Sequence, residues 1–396
     1  MKTTRREFLA AGAVFPATGL FESPTLAPRL QSQKYRACII GATGQGDYGH
    51  NLHTVFGLRS DVDMVALADP DEGGRRSHAA EIGVARTYAD YHEMLTKERP
   101  DLVVIAPRYT VRHREYLLAA AETGAHGLME KPIADNVSDG DDMVKAITGR
   151  NLKWAVAYNF RAMPSVQHAR RLIIDEGLIG QILEVRGRGK EDRRAGGEDM
   201  LVLGIHITDL MRFFLGEPLW CEADVTVDGR PARRADVHEA TESLGPVAGD
   251  SIQATYAFKN GVKGYFASTR SGDGNGGRWG LDIFGSRGIV AIRPDARPIT
   301  SLLREPSWAP FGRNRNWEPL PGAPAEVESP NPRAARYAPI VDDLLLAMKE
   351  NREPKVNLRD GLLSLEMLQA VYESHIREAR VTFPLKNRAH PLKKWD

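Results

Sequence analysis

Residues 35–69 constrain the fold more than any other stretch of the chain. An apolar run, "YRACII", ends at Gly41, and Gly44, Gly46 and Gly49 follow it. A helix-length stretch, "LHTVFGLR", then leads into a second apolar run, "DVDMVALA", that closes on Asp69. Strand, glycine-rich turn, helix and strand in that order predict a βαβ unit with parallel strands. Glycines let backbone N–H groups approach a phosphate at a helix N-terminus, and an acid ending the second strand can accept hydrogen bonds from a ribose. The segment therefore has the form of a dinucleotide-binding turn. Gly44, Gly46 and Gly49 spell G-x-G-x-x-G, whereas Gly41 is the glycine that ends the strand, so two registers compete. The expected arrangement has Gly41, Thr43 and Gly44 in the turn, Gly46 next to the phosphates and Asp69 at the adenosine ribose. The Asp69 charge repels a 2'-phosphate, which favours NAD over NADP, and Arg75 and Arg76 temper that preference.

The alternation continues with helix over 73–83, strand over 85–88, helix over 90–98, strand over 101–107, helix over 111–124, strand over 125–130 and helix over 139–148. Strands and helices joined by short links predict a parallel doubly wound sheet, whose ligands lie beyond the carboxyl ends of its strands. Pro107 and Lys131 fall at such ends. In "HGLMEKPIAD" a charged pair and a proline leave an apolar strand directly. Pro132 fixes its own φ and disfavours helix at Lys131, so Glu130, Lys131 and Pro132 form a stiff exit toward a cofactor.

With 396 residues, the chain exceeds the roughly 250–300 at which one core stops growing. The expected division is a leader over 1–33, a cofactor-binding part over 34–152, and a substrate-binding and oligomerisation part over 153–396. A net charge of +1 gives no global field for nucleic acid or a membrane surface, so a small neutral or weakly charged ligand fits better. Cys38 and Cys221 lie far apart, in or near apolar runs, which predicts buried free thiols; no metal-ligand spacing stands out. Near the start, "TTRREFLAAGAVFPATGLF" sets Arg5 and Arg6 ahead of Phe8, Leu9 and a mildly apolar stretch. This resembles a twin-arginine export signal and implies passage of the folded protein to the periplasm or beyond. No clear Ala-x-Ala site precedes Lys34, so cleavage and retention as an anchor both stay open; no other membrane segment is expected.

After the sheet, a helix over 164–180 and a strand over 181–189 are expected. Alternating stretches over 251–258, 262–268, 279–285 and 288–293 predict an antiparallel sheet. Two helices close the chain, the last opening at Asn357 with Asp360 in its first turn and carrying Leu365, Leu368, Tyr372 and Ile376 as a packing stripe. The charged stretch "RGRGKEDRRAGGEDMLVLGIHITDL" is ordinarily a solvated face. Gly196 and Gly197, however, let the backbone turn close to a ligand, bracketed by Arg188, Lys190, Arg193, Glu198 and Asp199, which suggests a substrate loop. On the following helix Leu203, Ile207, Leu210 and Phe214 form a buried stripe, with His206 and Asp209 at its border.

The glycine turn from Gly41, "APRYTVRH" with His113, "ETGAHGLMEKP", "AYNFRAMP" with Asn159 and Arg161, and "GIHITDLMRFFLG" with His206 and Asp209 run in order along nearly the whole chain. In these motifs the chain resembles the Gfo/Idh/MocA family of oxidoreductases. The resemblance implies an α/β Rossmann-like N-terminal half and an α+β C-terminal half whose largely antiparallel open sheet forms a homo-oligomer interface. It places Pro107, His113, Glu130 and Lys131 beside the cofactor and Lys131, Arg161, His206 and Asp209 around a sugar or polyol substrate, to which the charged loop is expected to add Arg188, Lys190, Glu198 and Asp199. Lys131 and His206 become the catalytic pair, with Asp199 as a third group.

One departure stands out. Many family dehydrogenases carry an aspartate four residues before the histidine, and Val202 stands there in this chain. A carboxylate at that spacing can orient an imidazole and share its proton, and valine can do neither. Asp199 lies about 10.5 Å from His206 along an ideal helix, too far for a direct pair unless the chain leaves helix before Leu201. The leading expectation is an exported NAD-dependent oxidoreductase acting on a hydroxyl of a sugar, polyol or glycoside, with a tightly held cofactor that is recycled. Two alternatives are a glycoside hydrolase or lyase that oxidises its substrate transiently, and a sugar-binding protein without chemistry.

Overall fold

The apolar runs of the first half become six parallel strands: β1 (Tyr35–Ile40), β2 (Val62–Ala68), β3 (Arg86–Tyr88), β4 (Leu102–Ile105), β5 (His126–Met129) and β6 (Trp154–Val156). Their order in the sheet is β3-β2-β1-β4-β5-β6, the doubly wound arrangement. The structure is a computed structural model and describes residues 34–395 apart from 243, 271–278, 306–315 and 325–331; the leader with Arg5 and Arg6 lies outside the described residues. Strands β1, β4 and β5 are buried almost throughout, as strands covered on both faces must be.

Local capping explains where the helices begin. In α1 (Glu72–Ile82) the Asp71 carboxylate accepts from Gly74 N, and in α2 (Tyr91–Glu98) Asp90 accepts from His92 N. Helix α3 spans His113–Glu122. Helix α4 (Val137–Gly149) starts two residues earlier than the expected 139, because Asn136 supplies the N-cap and accepts from Asp139 N. The stretch after the glycine turn, Gly49–Leu58, is 3₁₀ rather than α, and its opening residues His50 and Asn51 take φ of 50° and 59°.

The second half is built on a ten-stranded mixed sheet of described strands. From one edge these are Glu318–Pro319, Thr300–Leu303, Gly288–Ile292, Gly280–Gly285, Ile182–Arg188, Lys263–Thr269, Ser251–Ala257, Trp220–Val227 and Val381–Thr382, with Arg230–Pro231 beside Trp220–Val227. Every pairing is antiparallel except that of Ile182–Arg188 with Lys263–Thr269. The helix expected over 164–180 is shorter: it runs as Pro164–Arg170 and ends through a π turn at Arg171–Asp175. Cys38 and Cys221 are buried free thiols. No described helix is long and apolar enough to cross a membrane.

Two helices position the site. One opens at Gly197–Asp199, passes through a π turn at Met200–Gly204 and continues as α5 (Ile205–Leu215). The other, α7 (Leu358–Arg377), follows α6 (Ala338–Glu350) and opens on the Asn357–Asp360 capping box. Its apolar stripe packs under the second sheet, where Tyr256 Oη donates to Met367 O at 2.9 Å. It also reaches the first sheet's loops, where Gln369 Nε2 donates to Asp135 O at 2.9 Å. One apolar core therefore runs through both sheets, and the chain from Lys34 onward forms a single compact unit.

A segment with no periodicity in the sequence packs on the helix that opens at Gly197. His238–Glu239 pairs with Pro246–Val247, and between them Ala240 and Leu244 pack on Val202.

The tightest point of the first sheet is Gly127 in β5. A Cβ there would lie 2.4 Å from Val103 O and 2.6 Å from the Trp154 ring. Gly127→Ala should therefore lower the unfolding free energy by about 1–3 kcal/mol, the usual cost of overpacking. Urea denaturation of the two proteins would show it, and equal midpoints would mean that the sheet relaxes freely.

Candidate active site

Glu130 and Lys131 follow β5 directly, and both are buried. An uncompensated buried charge is costly, so each needs a partner. Glu130 takes two: Lys131 N donates to Oε2 at 2.7 Å, and His50 Nδ1 contacts Oε1. Burial works against the Glu130 anion, but His50 and Lys131 outweigh it and hold its pKa below the ordinary value. Lys131 is 2% exposed. Its Nζ donates to the main-chain carbonyl of Val202 at 2.7 Å. Burial pulls the lysine pKa below its usual range despite the pull of Glu130 and Glu242.

Val202 lies one helical turn before His206, so this carbonyl sets the Lys131 ammonium beside the imidazole's helix. His206 is 4% exposed, with Tyr158 edge-on at 5.7 Å and Phe160 tilted against it at 4.4 Å. Its Nδ1 has no hydrogen-bond partner. Burial, with the charges of Lys131 and His50, drives its pKa well below 6.5, so the ring is neutral at physiological pH. Trp279 stacks edge-on against Phe160 at 4.9 Å, its Nε1 is also unpartnered, and Lys190 Nζ lies 5.4 Å above its ring.

The segment over 238–247 brings a further charge network. Glu242 receives Arg108 Nη1 at 2.8 Å and Arg194 Nη1 at 2.5 Å, joining the loop after β4 to the loop before α5. Glu198 accepts from Thr241 N at 3.1 Å and from the Thr241 hydroxyl, pinning the same segment.

Other expected site residues are engaged by partners within the chain. The helix continues unbroken through Met200–Gly204, so Asp199 does not approach His206. Its carboxylate accepts from Lys190 N at 3.2 Å, Glu191 N at 3.0 Å and Ser268 Oγ at 2.5 Å, which makes it the anchor of the charged loop rather than a partner of the histidine. Burial nevertheless raises its pKa. Arg188 pairs with Glu191, and Lys190 reaches Asp295 at 3.5 Å. Arg161 bonds Asp209 and Asp360, each at 2.9 Å, and Arg212 reaches Asp360 at 3.3 Å, so Arg161 and Asp209 belong to a buried ion cluster between α5 and α7. His113 is fully buried and bridges two loops, with Nε2 2.7 Å from Pro107 O and Nδ1 2.9 Å from Pro132 O. It therefore buttresses a cofactor-side loop and does not line it.

At the dinucleotide turn, Asp69 is 0% exposed. It accepts from Thr43 Oγ1 at 2.7 Å, Tyr48 Oη at 2.8 Å, Asp71 N at 3.0 Å and Thr43 N at 3.1 Å. The Tyr48 ring fills the space that a Cβ on Gly41 would need. Gly46, expected next to phosphates, packs instead against the backbone of Arg108 and Tyr109, while Gly44 faces open space. A cavity of about 190 Å³ opens beside Gly41 and Asp69, bounded by Pro70, Asp90, Tyr91 and Arg112. Its place beyond the carboxyl ends of β1 and β2 suits the adenosine end of a dinucleotide.

Residues 35–158 match the profile of an oxidoreductase family with an NAD-binding Rossmann fold, and 172–383 match the C-terminal α/β domain of such oxidoreductases. Levoglucosan dehydrogenase of Pseudarthrobacter phenanthrenivorans is 26% identical over 59% of this chain and 65% of its own length. D-apiose dehydrogenase of Paraburkholderia graminis is 27% identical over 90% of this chain and 91% of its own. A solved levoglucosan dehydrogenase in complex with NADH and levoglucosan has the same fold, with a TM-score of 0.71 over 89% of this chain and all of that one, at 21% identity.

The Asp209 cluster has a measurable consequence. Burial raises the Asp209 pKa to about 6 against the pull of Arg161, whereas an unfolded aspartate titrates near 3.9. The native state thus binds the extra proton, and the stability this confers is complete below about pH 4 and lost as pH rises through about 6. Asp209→Asn should remove this fall, so that the gap between wild-type and variant unfolding free energies changes by on the order of 2–3 kcal/mol across that window. Parallel curves in urea titrations from pH 4 to 6.5 would place the titration on another group.

Proposed function

The chain belongs to the Gfo/Idh/MocA oxidoreductase family, and on that premise we propose that it uses NAD to oxidise a hydroxyl of a sugar, polyol or glycoside. One observation carries the reading: a buried lysine ammonium held on the Val202 carbonyl lies one turn from a buried neutral histidine whose Nδ1 is unpartnered. Neutral imidazole offers an acceptor nitrogen for the hydroxyl proton. The ammonium has three donors and spends one on Val202, leaving two to hold the substrate oxygen and stabilise its charge as the proton leaves.

NAD, when bound, supplies the hydride acceptor. Gly41, Thr43, Gly44 and Asp69 would hold its adenosine and pyrophosphate end, and Pro107, Glu130 and Lys131 would border its reacting end. The negative Asp69 supports NAD over NADP. Phe160 and Trp279 offer apolar ring faces to the C–H groups of a sugar, and the free indole N–H can donate to one of its hydroxyls. Levoglucosan and D-apiose dehydrogenases among the relatives support this substrate class. The Arg5-Arg6 pattern supports export of the folded holoenzyme.

Lys131→Ala should keep the fold and the retained nucleotide but lose roughly 10²-fold or more in turnover, the scale of a positioned proton-transfer group. Lys131→Arg should not restore it, because a guanidinium is larger and planar and cannot set its donors on both the Val202 carbonyl and the substrate oxygen as the compact ammonium does. Melting temperature, nucleotide content by mass spectrometry and single-turnover NADH formation on a panel of levoglucosan, D-apiose and myo-inositol would test this. Near-normal turnover in Lys131→Ala would remove the lysine from the chemistry. Glycoside cleavage without net NADH would replace oxidation with a transient-oxidation route.

Replacing Arg5 and Arg6 by lysine should hold the protein in the cytoplasm. Cell fractionation checks this, and unchanged export would point to another route.

A further inference from the structure

We propose that His53, His78 and Glu81 form a binding site for one divalent transition-metal ion, with zinc the best match to the donor set. His53 comes from the 3₁₀ stretch after the glycine turn, and His78 and Glu81 lie three residues apart on one face of α1. One ligand atom from each falls within 4.8 Å of the others. His53 Nε2 is 2.9 Å and His78 Nδ1 3.2 Å from the same carboxylate oxygen, Glu81 Oε2. In a tetrahedral site with metal–ligand bonds of about 2.0–2.2 Å, neighbouring ligand atoms stand roughly 3.3–3.5 Å apart. Both edges to Glu81 are within about half an ångström of that spacing, and the third, between the two imidazoles, is at most 4.8 Å, so an ion would draw the rings together by up to about an ångström.

The chemistry of the donors agrees with the geometry. Two imidazoles and one carboxylate suit zinc, nickel or copper, while calcium and magnesium take oxygen ligands. A metal needs neutral imidazole, and burial lowers the His53 pKa below its ordinary value. Among the described residues no lysine or arginine pairs with Glu81, so its charge stays open to a cation. His53 is buried, whereas His78 is partly and Glu81 largely exposed, which gives an entry path and a fourth position for water. Neither segment has a metal motif by itself: the site exists only where the first crossover and α1 meet.

The location gives the ion a role. The Tyr48 ring stacks on His78 at 3.8 Å and meets His53 edge-on at 4.9 Å, while its hydroxyl bonds Asp69. An ion on the two imidazoles would clamp α1 to the glycine-turn crossover and hold the rings against which Tyr48 packs.

The test uses the full chain, freed of metal with a chelator and titrated with zinc chloride alone in a calorimeter. One zinc per chain should bind in the micromolar range or tighter and raise the melting temperature. Cobalt in its place should show the intense visible absorption of a tetrahedral site. His78→Ala and Glu81→Gln alter partly exposed side chains and should fold normally, as circular dichroism would show, yet each should weaken zinc binding roughly tenfold or more. Absence of stoichiometric binding, zinc binding unaltered in both variants, or a preference for calcium or magnesium would each overturn the proposal.

Discussion

Two opposite charges buried at the end of β5 organise this protein. Glu130 and Lys131 adjoin in sequence and are both buried, and a buried ion left unpaired costs several kcal/mol. Their mutual attraction does not satisfy all their hydrogen-bonding capacity, so partners must come from elsewhere in the chain. Glu130 draws His50 out of the glycine turn, 80 residues earlier, and Lys131 draws the helix carbonyl of Val202, 71 residues later. The cofactor-type sheet and the helix of the second half thereby meet at one point. Glu130 keeps His50 whatever becomes of Lys131, so the two anchors are separable, and each ties a distant segment to the end of β5.

That Lys131 binds a main-chain oxygen changes the meaning of Val202. A carbonyl is present whatever side chain the position carries, so anchoring the lysine is indifferent to the exchange of aspartate for valine. Orienting His206 is a separate matter, and here rings replace the carboxylate: Phe160 and Tyr158 confine the imidazole from two sides. The π turn at Met200–Gly204 lies at this junction. A π turn shifts the regular pairing of helix carbonyls and is frequent at functional sites. The Val202 side chain meanwhile packs with Ala240, Leu244 and Val247, which a carboxylate would not tolerate.

The parallel sheet was legible because its buried strands are continuous apolar runs and its helices open on local caps such as Asp71, Asp90 and Asn136. "MEKP" was legible as a charged break at the end of an apolar strand, and "GIHITD" only through its resemblance to a family motif. Their partners were not. The segment that carries Glu242 is "HEATESLGPVAG", with neither helical nor strand periodicity, and its order comes from contacts with Arg108, Arg194 and Val202. Asp199 and Glu198 show the opposite limit. Their position in a charged loop points to a ligand, but both carboxylates are consumed by backbone N–H and hydroxyl groups of the chain itself. The loop they fix still matters, because it delivers Arg194 to Glu242.

Asp69 carries the same lesson to the cofactor turn. From its spacing it reads as a ribose acceptor, and in the structure it organises the turn, accepting from Thr43, Tyr48 and Asp71. A carboxylate has about four acceptor positions, and these donors fill them. A ribose diol at Asp69 must therefore displace a donor already present. The Thr43 and Asp71 amides belong to the main chain of the turn and cannot leave without remodelling it. The Thr43 and Tyr48 hydroxyls can each depart by rotation of a side chain, although for Tyr48 the ring's stacking on His78 and its contact with Gly41 resist that movement. A ribose seated here would thus be held through an exchange of hydrogen bonds, and the aromatic cluster behind Tyr48 sets how readily the tyrosine gives up its own.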